Sequence, residues 1–156
     1  MIAAGTRARA FTFVLLLLCA AIAQTAAARG LSDIKPAVAA MLENESEYAY
    51  LVISVVDSED FLQIWGPKGT AELDFPQITD RQKALRPKIE EVCSSLGLEQ
   101  TIVTSDGGLQ FLDYSLPLDA DRIDRILRRI LRDVFGVSDD VQLEFEVDGF
   151  ALPPPR

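Results

Sequence analysis

Hydrophobic positions recur along this chain with two different periods, and the switches between them mark out the elements. Within residues 31–44, Ile34, Val38, Met41 and Leu42 fall three or four apart, the spacing of one helix face. Ser32 is placed to cap that helix, and Pro36 lies in its first turn, where a missing N–H does no harm. Residues 48–56 (YAYLVISVV) are apolar on both alternating sets and rich in β-branched and aromatic side chains, which predicts a central strand. A turn at Asp57-Ser58-Glu59-Asp60 leads to a second strand, 61–65 (FLQIW). Gly66-Pro67-Lys68-Gly69 then turns into a third, 70–75 (TAELDF), to complete a meander.

Thr79 and Gln82 form a capping-box signature for a second helix, whose stripe is Leu85, Ile89, Val92, Cys93 and Leu96 and whose stop is Gly97. Pro87 inside it deletes one backbone hydrogen bond, so a bend or break is expected there. Segments 100–104 and 109–115 flank Ser105-Asp106-Gly107-Gly108 as a hairpin. The clearest helix covers 119–135: Ile123, Ile126, Leu127, Ile130, Leu131, Val134 and Phe135 share one face, Asp119 can cap the start, and Gly136 ends it. In 141–147, Val141, Leu143, Phe145 and Val147 alternate with Gln142, Glu144 and Glu146, the pattern of a strand with one solvated face. Together these elements predict an α+β fold, an antiparallel sheet packed against amphipathic helices, in the order α-β-β-β-α-β-β-α and a last β.

Residues 1–28 read as an export signal: Arg7 and Arg9, the apolar run 11–23, and Ala26-Ala27-Ala28 before the cut. The run falls short of the about 20 apolar residues that cross a bilayer, so no stable membrane anchor is expected after cleavage, and the bacterial periplasm or the extracellular space is the expected location. The rest of the chain divides into one domain, 29–150, and a flexible Pro-rich tail, 151–156. Losing the leader takes the net charge from -9 to about -11. Cys19 leaves too, so Cys93 has no partner for an intramolecular disulfide and reads as a small buried hydrophobe.

The chemistry on offer is narrow. The sequence has no histidine, which excludes His-dependent Ser and Cys hydrolases and His-ligated zinc or haem. No catalytic residue, metal site or cofactor is assigned. The acid runs 57–60 and 119–121 lack the ligand spacing of a calcium loop and are explained by turn formation and capping. Arg122, Arg125, Arg128, Arg129 and Arg132 make a basic stripe on the third helix. The pairs Asp121–Arg125, Asp124–Arg128 and Arg129–Asp133, each four apart, account for it as a solvated surface, and the acidic net charge opposes nucleic acid.

Aromatic residues are the best lead. Phe61, Gln63 and Trp65 share one face of the second strand, opposite Leu62 and Ile64, and Tyr48 and Tyr50 on the first strand join them if the register allows. These five form the candidate surface for a peptide or partner protein, the alternative being that they pack under the second and third helices as ordinary core.

The element order, with FLQIWGP (61–67), IEEVCSSLGL (89–98), DGGLQFLDYSLPL (106–118) and DADRIDRILRRILRDVF (119–135), resembles that of the type III secretion chaperone-like fold and its YbjN-type relatives. The resemblance implies a non-enzymatic domain, often a homodimer, that holds a peptide or protein client. This chain departs from the pattern in its export signal and in the added last strand. The expected function is thus an exported chaperone-like binding module. The alternatives are an acidic immunity- or inhibitor-like protein that neutralises a basic partner, or a carbohydrate-active or carbohydrate-binding protein using carboxylates and Trp65.

Overall fold

A computed structural model describes residues 28–105 and 107–156. A 3-10 turn, Leu31–Asp33, runs into helix α1 (Ile34–Glu43), followed by strands β1 (Ala49–Val55), β2 (Phe61–Gly66) and β3 (Glu72–Pro76). Helix α2 (Asp80–Ser95) precedes β4 (Gln100–Thr104) and β5 (Gln110–Ser115), and α3 (Ala120–Asp133) leads to β6 (Leu143–Asp148). The strands form one sheet in the order β4-β5-β3-β2-β1-β6, every pairing antiparallel. The chain therefore has the expected α+β architecture, with the added last strand on one edge of the sheet.

Strand alternation divides the sheet into two unlike faces. Ala49, Leu51, Ile53, Leu62, Ile64, Leu73, Phe75, Leu112, Tyr114, Leu143 and Phe145 point to the helices, where they form one core with Ile34, Val38 and Met41 of α1, Ile89 and Cys93 of α2, and the α3 stripe. Ile123, Leu127, Ile130 and Leu131 are fully buried in it, each stabilising the fold by about 1.5–3 kcal/mol relative to exposure. Cys93 lies in this core, where burial pushes its thiol up to about 12 and keeps it protonated.

Capping follows the sequence at α2, where Gln82 N–H donates to Thr79 Oγ1 at 3.2 Å and Thr79 N–H to Gln82 Oε1 at 3.0 Å. At α3, Arg122 N–H donates to Asp119 Oδ1 at 2.8 Å. It differs at α1. Because 31–33 wind as a 3-10 turn, Ser32 lies inside the turn and Asp33 stands at the N-cap position of α1 without capping it; its carboxylate closes the 3-10 turn instead, accepting from Gly30 N–H at 2.9 Å. Of the bend or break expected at Pro87, the break is absent: α2 is continuous from Asp80 to Ser95. Pro87 and Lys83 are both exposed, so the carbonyl that Pro87 cannot bond is left to water.

On α3, Asp124 pairs with Arg128 at 2.9 Å and Asp133 pairs with Arg129. Asp121 takes Lys35 at 2.6 Å in place of Arg125, since α1 packs on α3 and brings that lysine across. The Pro-rich tail, read from sequence as flexible, is tied to the start of the domain: Arg29 Nη2 donates to the Pro153 carbonyl and Arg156 N–H to Asp33 Oδ1, each at 2.8 Å, and Leu152 rests on the core. The leader and Cys19 lie outside the described residues, save Ala28 at its end. Among the described residues no helix is long and apolar enough to cross a membrane.

Candidate binding face

Every residue of the candidate surface lies on or beside the sheet face turned away from the helices. Pairing register sets their neighbours. One row across the sheet reads Asp148, Tyr50, Trp65, Glu72, Ser115, from β6 to β5. The next reads Glu146, Val52, Gln63, Asp74, Asp113, Thr101, from β6 to β4. Phe61 pairs with Ser54 one row further on, and Phe111 lies on β5 beyond Asp113. Of the two readings of the aromatics, the geometry brings Tyr50, Phe61, Gln63 and Trp65 onto one common face and does not place them beneath helices two and three.

Tyr48, just before β1, completes the group. Its ring centroid is 6.4 Å from that of Trp65 and 6.2 Å from that of Tyr50, the latter edge-on, a separation and geometry typical of favourable aromatic pairs. Behind it, Gly149 has φ +82°, and a Cβ there would lie 2.3 Å from the Tyr48 carbonyl oxygen, so only glycine lets the chain leaving β6 pass so close. Tyr50 donates its hydroxyl to Glu146 Oε1 at 3.2 Å. Burial and nearby carboxylates raise both tyrosine pKa values, keeping the phenols neutral.

Sequence reasoning missed the acids among these rings. Asp74 and Asp113 face each other directly across β3 and β5, and each is less than 10% exposed. Burial first, then the facing Asp113, push the Asp74 carboxyl up to about 8, and the two carboxyls share a hydrogen bond. Near neutrality the Asp74 carboxyl is therefore largely protonated. Asp74 Oδ1 is buried and accepts no hydrogen bond. Glu72, Glu144, Glu146 and Asp148 add four carboxylates to the same face, and none of the six strands contains a lysine or arginine. The signal was present as alternation, Glu72 and Asp74 against Leu73 and Phe75, and Asp113 against Leu112 and Tyr114. The missing knowledge was that β3 and β5 are neighbours.

Among the described residues one cleft opens between Asp60, Phe61, Gln77 and Phe135, reaching the candidate face at Phe61, and another between Met41, Pro67 and Leu118. Among the described residues no group of three or more His, Cys, Asp or Glu is placed to hold a metal ion. No family model, curated protein or solved structure matches this chain.

Proposed function

We propose that this chain is an exported, non-enzymatic binding module that holds a peptide or protein partner on the sheet face opposite its helices. One observation carries the reading: Tyr50, Phe61, Gln63 and Trp65, with Tyr48 beside them, are gathered on the face that the helical core does not use. A flat sheet face lined by aromatic rings offers broad contact area to a polypeptide, whereas enclosing a reacting bond away from water calls for a cleft. The kinship with secretion chaperone-like and YbjN-type domains belongs to this proposal. It rests on the order of the elements, and it suggests a homodimeric, chaperone-like role in the periplasm or outside the cell after cleavage near Ala28. The immunity- or inhibitor-like alternative has its own support in the absence of any cation from the strands.

Affinity capture from native envelope extract, with parent protein and with Trp65→Ala, tests the reading. The variant should lose the captured partner while its thermal unfolding stays nearly unchanged. A large loss of stability with capture intact would return Trp65 to a structural role and defeat the proposal.

A further inference from the structure

Charge is segregated between the two layers of the molecule. The strands carry acids and neither lysine nor arginine, whereas basic residues cluster on α2 and α3. On α3, Arg122, Arg125, Arg129 and Arg132 recur at spacings of three and four, so they share one stripe. All four are exposed, on the side turned away from the buried Ile123, Leu127 and Ile130. The sequence offered Asp121 as the acid that accounts for Arg125, but the structure gives Asp121 to Lys35 and Asp124 to Arg128. Arg129 and Arg132 have Asp133 and Asp139, and no ion pair among the described residues holds Arg122 or Arg125. From Arg122 to Arg132 the stripe runs about 15 Å at ~1.5 Å per residue. On the opposite side of the molecule, the row Asp148, Tyr50, Trp65, Glu72 crosses β6, β1, β2 and β3, about 14 Å at ~4.8 Å per strand. That row has a carboxylate at each end and two rings between.

We infer that the partner on the sheet face is a second copy of this chain, whose α3 lies across the Asp148–Tyr50–Trp65–Glu72 row. Arg122 and Arg132 meet the two carboxylates, and Arg125 and Arg129 lie over the rings. This rests on the proposed use of the face and names its occupant. The match is one of length, order and charge: guanidinium groups bond carboxylates at the ends of the row and stack on aromatic faces in its middle. The acidic net charge does not prevent it, because repulsion beyond about 8 Å is screened at physiological salt while charges in contact are screened much less. The contact joins unlike surfaces, so a helix face and a sheet face stay free at the two ends, and the assembly grows as an open series of copies.

Sedimentation velocity over a concentration series tests this, first on the parent protein at physiological salt and then at about 1 M NaCl, where screening is stronger. The parent's mass should climb with concentration without halting at a dimer, and the high salt should weaken association about ten-fold. Two variants then separate the halves of the contact. Arg122→Glu with Arg125→Glu breaks the helix face at positions that hold no ion pair in the folded chain. Glu72→Lys with Asp148→Asn breaks the sheet face, and the asparagine keeps an oxygen for the Gly149 N–H; Glu72→Gln replaces the lysine if circular dichroism shows that variant unfolded. Each variant alone should be monomeric, and an equimolar mixture should form a one-to-one dimer, because one intact face of each kind remains. A parent that stays monomeric, a dimer that both variants retain, or a mixture that does not pair overturns the inference. If the parent is monomeric yet captures a foreign protein from extract and loses it on Trp65→Ala, the proposed function survives while this inference falls.

Discussion

The two faces of the sheet are made by alternate residues of the same strands, yet they obey different rules. On the helix side Leu51, Ile64, Leu73 and Leu112 are apolar and fully buried, and the nearby buried acid, Asp60, is held bidentately by Arg81 at 2.7 and 2.5 Å. On the other side rings and carboxylates alternate, and the buried acid, Asp74, faces another acid. One arrangement stabilises the fold; the other stores a cost in it. Folding alone explains the first face. The gathering of Tyr50, Phe61, Gln63 and Trp65 on the second is the ground for proposing the candidate site there.

The largest expected effect marks the helix side. Leu127→Ala removes a fully buried side chain from the centre of the α3 stripe and should lower stability by about 2–5 kcal/mol in denaturant titration. Against it, Trp65→Ala on the opposite face is expected to be nearly neutral. Should the two losses prove equal, the division into a structural face and a binding face would collapse.

Next in size is Asp74→Asn, with the opposite sign. Burial and Asp113 raise the folded pKa of Asp74 from 3.8 to about 8, so the folded state binds its proton more tightly than the unfolded state does. The associated stability is fully present below about pH 4 and is lost as pH rises toward 8. Among the described residues, Asp113 from β5, Glu72 on its own strand and Tyr48 interact with Asp74, and the strands carry no lysine or arginine. Asparagine needs no proton, so the variant should exceed the parent by on the order of a few kcal/mol at pH 8–9, the gap closing toward pH 4. A parent as stable at pH 9 as the variant would remove the stored cost from the comparison.

Most of the fold was legible because periodicity and caps are local. The α3 stripe, the Thr79–Gln82 capping box and the alternation from Leu143 to Val147 each announced an element without reference to anything distant. Ser32 misled because Leu31–Asp33 wind as a 3-10 turn, a choice fixed by the Gly30–Asp33 hydrogen bond and hidden from the helical period. Pro87 leaves α2 unbroken because its penalty depends on exposure, and both it and Lys83, whose carbonyl it frees, are exposed. The site divides the same way. Phe61, Gln63 and Trp65 could be assigned to one face from β2 alone, and Tyr50 needed only the neighbouring hairpin. Asp74 and Asp113 are separated by a helix and a strand in sequence, and no local pattern brings β3 to β5.

The smallest of the three effects concerns the acid on the helix side. The hydrogen bonds from Arg81, helped by the Ser58 hydroxyl, hold the Asp60 carboxyl below its ordinary value of 3.8. Its stabilisation is therefore present above about pH 4 and lost as pH falls further, the reverse of Asp74. Arg81→Ala leaves Asp60 buried without its cation, but the arginine side chain is 49% exposed and water screens the pair, so the loss should be smaller than either effect above. Its signature is the pH profile: a deficit in unfolding midpoint at pH 7 that shrinks as Asp60 protonates below pH 4. Asp60→Asn in the Arg81→Ala background should recover part of the loss, because the neutral side chain no longer needs a cation. If that double variant is as unstable at pH 7 as Arg81→Ala alone, the arginine acts through packing of its stem on α2 and not through charge. The contrast between a paired acid on one side of the sheet and a self-paired couple on the other would then stand on Asp74 alone.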